Sequence, residues 1–344
     1  MPEPADAALS SLREQLHQGV STEALLKQFP SSLLIPELYQ TWRAGSLQVL
    51  RRWTEEPEPV PFSAEACLLP GDQLRLGASM QGSSFKVATW NVNSIRSRWN
   101  LMLQWLESEK PEVVGLQETK TTEDRFPVAE LQALGYHSVH LGQKTYNGVA
   151  LLSRHPISEE VRGFPEGWDS ENARLIRATI SGVRMINVYV PQGSRVGSEK
   201  FHYKLEFLEH LKQVLQQELQ SYTNVLVMGD FNVALEERDV YSVEAMRGEV
   251  SFHPDELSRM SMLQALGLED LFRRKEPSQG QFSWWDFRTR GFERGEGLRI
   301  DYVFGNLEMA NRLKSSWIDF DNRAQPKPSD HAPVMCTFEL ETTA

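Results

Sequence analysis

Cysteine is scarce in this chain of 344 residues, where Cys67 and Cys336 are the only two. Two thiols build neither a disulfide framework nor a thiolate metal site, which fits a reducing compartment, and both read as small buried hydrophobes. Long apolar runs are missing too, so no stretch reaches the length that spans a bilayer. The opening MPEPADAALSSL is acidic and lacks the basic-then-apolar order of a secretion signal. The expectation is therefore a cytoplasmic protein, nucleoid-associated in a bacterium, with no membrane partner. Surplus positive charge is also absent, because 36 Lys and Arg stand against 47 Asp and Glu, a net charge of -11. That counts against a protein that simply coats nucleic acid. It leaves room for a polyanionic substrate, since a bound divalent cation supplies positive charge that a count of side chains misses. No fixed-period repeat, HExxH motif or Cys pair is present.

What is there divides into two textures. Residues 1–54 read as a helical N-terminal extension: DAALSSLREQLHQGV, then STEALLKQF opening on a Ser21 cap, then a segment from Pro36 to Trp53. Residues 55–84 are rich in Pro, Gly and Ser and read as a linker with one short strand at QLRL. Residues 85–341 alternate apolar strands with amphipathic helices. Trp99, Met102, Leu103 and Leu106 mark one helix stripe, which Pro111 closes, and Phe201, Leu205, Leu208, Leu215 and Leu219 mark another.

The strand ends carry unusual residues. FKVATWNVN finishes on Asn91 and Asn93, PEVVGLQET on Glu118, VRMINVYVPQG on Tyr189 and Gln192, and NVLVMGDFN on Asp230 and Asn232. LRIDYVFG holds Asp301 inside an apolar run, and KPSDHAPV sets Asp330 and His331 just before the last strand. An ionised side chain in a core strand costs several kcal/mol unless it is paired or binds a cation. One shared site at the strand tips explains all of them together. Oxygen donors without thiolates favour a hard cation, Mg²⁺ or alternatively Mn²⁺, and one acidic anchor such as Glu118 is enough for it. An Asp, an Asn and an Asp-linked His around a phosphate suit hydrolysis: water is positioned and deprotonated, and His331, oriented by Asp301, donates to the phosphate. Asp330 serves the water network or a second cation.

In order, WNVNSIR, GLQETK, NGVALLS, NVYVPQG, GDFN, FSWWDFRTRGFERGEGLRIDY and PSDHAPV resemble the exonuclease III type of apurinic/apyrimidinic endonuclease, within the endonuclease/exonuclease/phosphatase superfamily. The resemblance covers about residues 85–340. It implies an α/β fold, a four-layered sandwich of two packed mixed sheets flanked by helices. It also implies a metal-dependent hydrolase that cuts DNA 5′ to abasic sites, with 3′-phosphodiesterase, 3′-phosphatase or 3′→5′ exonuclease activity. The partner is then double-stranded DNA with abasic sites or blocked 3′ ends, met by a monomer.

Carried over by motif, Glu118, Asn93 and Asp330 are the metal group. Tyr189, Asp230, Asn232, Asp301 and His331 are catalytic, with Asp230 either taking the water's proton or only positioning the water. Asn91, Gln192, Trp285, Phe282 and Arg96 bind substrate, Trp285 closing the pocket over a base-less sugar while Trp284 goes to the core. The basic stretch 287–299 and Lys120 are further candidates for gripping phosphates. Two other readings stand beside this one. A nonspecific nuclease or another phosphoesterase of the superfamily would keep the core and change the substrate, and a binding or scaffold protein would act through residues 1–84, a stretch that otherwise offers a site for an unknown protein partner.

Overall fold

The computed structural model describes residues 83–278 and 280–340, and in the earlier part of the chain only short strands. The chain divides into two compact units, Met1–Ser83 with Leu340–Ala344, and Ser84–Glu339. In the first unit the described strands form an antiparallel sheet in the order Val20–Ser21, Gln73–Leu76, Leu47–Leu50, Glu58–Pro59. QLRL is a strand, as expected. Val20–Ser21 and Leu47–Leu50 correct the helical reading at those residues. Short apolar runs such as LQVL fit either period, and here pairing with neighbouring strands decides. The rest of the expected helical extension lies outside the described residues.

The second unit contains two mixed six-stranded sheets. In chain order its elements are β1 (Ser83–Asn91), α1 (Trp99–Glu109), β2 (Val113–Gln117), β3 (His137–Leu141), β4 (Val149–Ser153), β5 (Ile157–Arg162), β6 (Leu175–Ile180) and β7 (Val183–Tyr189). They continue with α2 (Glu199–Ser221), β8 (Val225–Asp230), α3 (Pro254–Gln264), β9 (Glu269–Asp270), β10 (Trp284–Trp285), β11 (Gly297–Leu298), β12 (Asp301–Gly305), β13 (Leu313–Ile318) and β14 (Val334–Leu340). The first sheet runs β13-β14-β1-β2-β4-β3 and the second β9-β12-β8-β7-β6-β5, with β10 and β11 a separate ribbon.

Each sheet is built around one parallel pair whose strands are joined by a helix, β1-α1-β2 in the first and β7-α2-β8 in the second. Parallel strands need such a crossover, and it leaves the C-terminal ends of both strands at the same edge. Helix α1 ends at Lys110, whose left-handed backbone returns its N–H to the Leu106 carbonyl, and Pro111 follows. Helix α2 starts at Ser198, whose hydroxyl accepts from the Phe201 N–H.

The helices lie on the outer faces. Met102, Trp105 and Leu106 of α1 pack with Trp90, Val114, Leu116 and Leu152 of the first sheet. Phe207, Leu211 and Leu215 of α2 pack with Ile186, Val188, Val225 and Val227 of the second, and Met260 and Leu263 of α3 join them. Between the sheets the packing is close: a Cβ on Gly115 of β2 would sit 2.7 Å from the Met228 sulfur of β8. A buried amide fastens the interface. Asn187 accepts from Gln117 Nε2 at 2.6 Å and donates to the carbonyls of Leu116 and Ala150 at 2.9 and 2.8 Å. These bonds run from one sheet to the other, so they set how the two parallel pairs face each other.

Candidate active site

The ends of the two parallel pairs meet. Asn91 lies opposite Gln117 at the end of β1 and β2, and Tyr189 opposite Asp230 at the end of β7 and β8, while antiparallel pairing sets Asp230 beside Asp301. The turns just past these strands are tight. Asn93, Glu118, Lys120 and Asn232 all have positive φ, between 42° and 54°, a conformation that costs a residue with a Cβ and that clusters where function requires it. Gly229 allows the approach of β8 to β7, because a Cβ there would lie 1.9 Å from the Val188 carbonyl oxygen.

One amide joins the two sheets at the centre. Asn91 Nδ2 donates to Glu118 Oε1 and to Asp230 Oδ2, both at 2.9 Å. The Tyr189 hydroxyl donates to Glu118 Oε1 at 2.9 Å, and Lys120 Nζ lies 2.8 Å from Glu118 Oε2. Burial alone would raise the Glu118 pKa, but the Lys120 charge and the Asn91 bond outweigh it and hold the carboxyl below its usual range. It is a carboxylate at neutral pH.

Across from it, His331 Nδ1 lies 2.9 Å from Asp301 Oδ2, and His331 Nε2 lies 3.8 Å from Asp230 Oδ2. Burial would lower the His331 pKa, yet the facing Asp301 and Asp230 carboxylates drive it upward. Asp230 is buried among acids, and that burial, with Asp301 and Glu118 nearby, raises its affinity for a proton against the pull of His331. Its other oxygen accepts from the Asn232 N–H at 2.9 Å, and the Asn232 amide donates to the Val190 carbonyl at 3.0 Å.

The SDH loop is tied in from several sides. Ser329 Oγ donates to the Asn91 carbonyl at 2.7 Å, Trp90 Nε1 donates to the His331 carbonyl at 3.2 Å, and Arg98 bonds the carbonyls of Pro328 and Asn93. Ser283 Oγ donates to Asp301 Oδ2 at 2.7 Å. The isolated bridge between Trp284 and His331 fixes the β10 face, so Trp284 turns toward the site and donates from Nε1 to Asp330 Oδ2 at 3.2 Å.

Asn91, Glu118, Tyr189, Asp230, Asn232, Asp301 and His331 thus converge. The tryptophan assignment needs correcting. Trp285 is buried, 3% exposed, against Phe292 and Phe320 with the Arg323 guanidinium over its ring, whereas Trp284 is half-buried beside the site. Neighbours on a strand point to opposite faces, and the pairing with His331 chooses which one faces inward. Phe282 is buried with its side chain against Gly297. Arg96 and Gln192 are exposed, and the Gln192 side chain accepts from the Ser194 N–H instead of joining the cluster. Asn93 links Lys120 to Asp330, and Asp330 is held by Asn93 and Trp284. Among the described residues, the group able to share one ion is Glu118, Asp230 and His331, whose ligand atoms lie within 4.8 Å of one another. Asp330 lies outside that group of His, Asp and Glu ligands.

The Endonuclease/Exonuclease/phosphatase family matches residues 88–331. The chain belongs to this family. It is 36% identical over 266 residues to exodeoxyribonuclease III of Haemophilus influenzae, covering 74% of this chain and 100% of the relative. Two solved structures of similar coverage, 74% of this chain and 100% of each, are the 3′ phosphatase NExo from Neisseria bound to a product DNA hairpin, at 38% identity and TM-score 0.73, and an AP endonuclease from Archaeoglobus fulgidus, at 37% and 0.72.

The donor set suits the divalent cation expected of the family. The Glu118 carboxylate offers hard oxygens, and the Asp230 carboxyl lies within reach of the same point. Lys120 stands on Glu118 as the positive charge that keeps it ionised. Sequence reasoning missed Arg98, Ser283, Ser329 and Arg174. Arg174 lies 4.6 Å from the centre of the Tyr189 ring and bonds the Tyr189 carbonyl, but nothing in NARLIR marks it. Ser329 was visible inside PSDHAPV.

Proposed function

We propose that this chain is a DNA repair nuclease that, with Mg²⁺ or Mn²⁺, hydrolyses the backbone 5′ to abasic sites and clears blocked 3′ ends. The observation that carries this reading is the junction of Glu118, Asn91, Asp230 and His331, four groups from two sheets within hydrogen-bonding or ion-sharing distance. The named relatives, an exodeoxyribonuclease III, a 3′ phosphatase and an AP endonuclease, support the substrate class.

Glu118 would hold the cation, with Asn93 and Asp330 close by, and the cation would supply Lewis-acid charge on the phosphate oxygens. The rest is the work of side chains. Asn232 and Asp230 orient the attacking water, and Asp230 takes its proton as the water oxygen bonds to phosphorus. His331, held by Asp301, donates from Nε2 to a non-bridging oxygen as charge builds there. The P–O3′ bond breaks, Tyr189, steadied by Glu118 and Arg174, stabilises the charge on the departing 3′ oxygen, and that oxygen then takes a proton from solvent water. Trp284 beside Asp330 replaces Trp285 as the aromatic that covers a base-less sugar, since an apolar wall accepts an extrahelical sugar and leaves no room for a stacked base.

Cleavage of one duplex with and without a single abasic site, together with a nicked duplex ending in a 3′-phosphate, tests the proposal. Preferred incision at the abasic site with release of inorganic phosphate is expected. Equal cutting of the intact duplex would move the chain to the nonspecific nucleases. Residues 85–341 are proposed to carry all of this as a monomer, with 1–84 reserved for a protein partner. Full activity after deletion of 1–80, with sedimentation at the monomer mass, would agree with that division. Among the described residues no helix is long and apolar enough to cross a membrane.

A further inference from the structure

A lysine is completely buried behind the site. Lys204 projects from α2 with no solvent exposure, and all three of its ammonium donors are used. It donates to the Asn232 carbonyl at 2.7 Å and to the Gln192 carbonyl at 3.2 Å, and it pairs with Glu256. Glu256 is equally buried and is itself fixed at the start of α3, where its other oxygen accepts from the His253 N–H at 3.0 Å.

The two carbonyls belong to the two loops that leave the parallel pair β7/β8. One follows Tyr189 and the other follows Asp230. In the second loop Asn232 holds a left-handed backbone at φ 54° and its N–H supports Asp230. Gly193 leaves room for the lysine stem, since a Cβ there would come within 3.2 Å of Lys204 Cδ. A buried ion pair is a weak stabiliser, and apolar residues of the same volume often serve stability as well or better. Burying a charge between these loops therefore points to a role in geometry.

We propose that Lys204 is a positioning residue that fixes the Gln192 and Asn232 loops, and through them the spacing of Tyr189 and Asp230. The inference rests on the nuclease reading above. Lys204 touches no reacting group, and its effect passes through the two carbonyls.

The test separates geometry from stability. Lys204→Met alone leaves the Glu256 charge buried without its counter-ion and lowers the Tm. The double variant Lys204→Met/Glu256→Leu removes both charges and is expected to recover the Tm, yet it cannot rebuild the bonds to the two carbonyls. Its kcat on an abasic duplex should stay down by about tenfold or more with KM within about threefold, because misplaced reacting groups cost rate more than binding. Hydrogen exchange should quicken at 192–194 and 231–233 in the same variant. Glu256→Gln keeps an acceptor for Lys204 and both carbonyl bonds, so its kcat should remain within about twofold of wild type even if its Tm falls.

Recovery of kcat together with Tm in the double variant would overturn the proposal. So would a loss in Glu256→Gln as large as that in Lys204→Met, and this comparison decides the matter if the double variant does not regain its fold. A wild-type protein inactive on every DNA tested would defeat the nuclease reading instead, while hydrogen exchange at the two loops would still report on Lys204.

Discussion

Replacing Asp301 by Asn changes one charge and almost no shape. Two donors already aim at Asp301 Oδ2, the Ser283 hydroxyl at 2.7 Å and His331 Nδ1 at 2.9 Å, whereas Oδ1 has no partner among the described residues. The amide oxygen therefore takes the Oδ2 position and its NH₂ the empty one, and the histidine keeps its tautomer and orientation. What disappears is the negative charge behind the ring. A hydrogen bond to a charged group contributes about 1.5–3 kcal/mol and a neutral one about 1, so roughly 1.4 kcal/mol of support for the imidazolium is lost. If His331 carries positive charge in the transition state, that difference lowers the single-turnover rate about tenfold. Quenched-flow cleavage of an abasic duplex measures the rate, and binding of the same duplex without divalent cation measures affinity, which should hold. A rate within about twofold of wild type, or an equal loss in affinity, would refute the assignment of His331 as a charged donor.

Four further outcomes follow from the same structure. Asp230→Asn should abolish turnover and leave affinity for abasic DNA nearly unchanged, as measured by single-turnover assay and titration, because it removes an interaction made mainly in the transition state. Glu118→Gln should raise the divalent cation concentration needed for half-maximal rate, with partial rescue at high metal, and absence of rescue would argue against a ligand role. Gly229→Ala should cost about 3 kcal/mol or more, seen as a fall in the urea midpoint, since its Cβ would meet the Val188 carbonyl oxygen at 1.9 Å. His140 gives an acid-side prediction. Burial, with Arg162 adding to it, depresses its pKa from 6.5 to about 4. The unfolded chain then binds the proton first, so stability is complete above the unfolded value and is lost as pH falls from 6.5 toward 4, by about 3 kcal/mol. Urea midpoints across that window should show this loss, and His140→Gln should flatten it.

Much of the site could be read from the residues because the expense of burying an acid makes it conspicuous. Asp230 and Asp301 stand out inside apolar runs, and neither has an explanation within its own strand. Trp284 and Trp285 could not be told apart that way. Alternation guarantees that they face opposite sides, but only the pairing of Trp284 with His331 says which side is the site. Lys204 hid in the apolar stripe of α2, beside Leu205, because a charged residue on a helix ordinarily marks the solvent face. Asn187 was equally silent in MINVY, since its three partners come from the other sheet and from residues 37 to 71 positions away. At Leu47–Leu50 a four-residue apolar segment carried too little periodicity to choose between helix and strand.

The amide of Asn91 holds a carboxyl group from each sheet, so the reaction centre works as a caliper across the sandwich. Any swelling of the core, by mild denaturant or by a cavity at the Gly115 and Met228 contact, opens its jaws before a single strand is lost. Catalysis should then fade ahead of circular dichroism during denaturation, with the gap between the two curves reporting how firmly the sheets are pressed together.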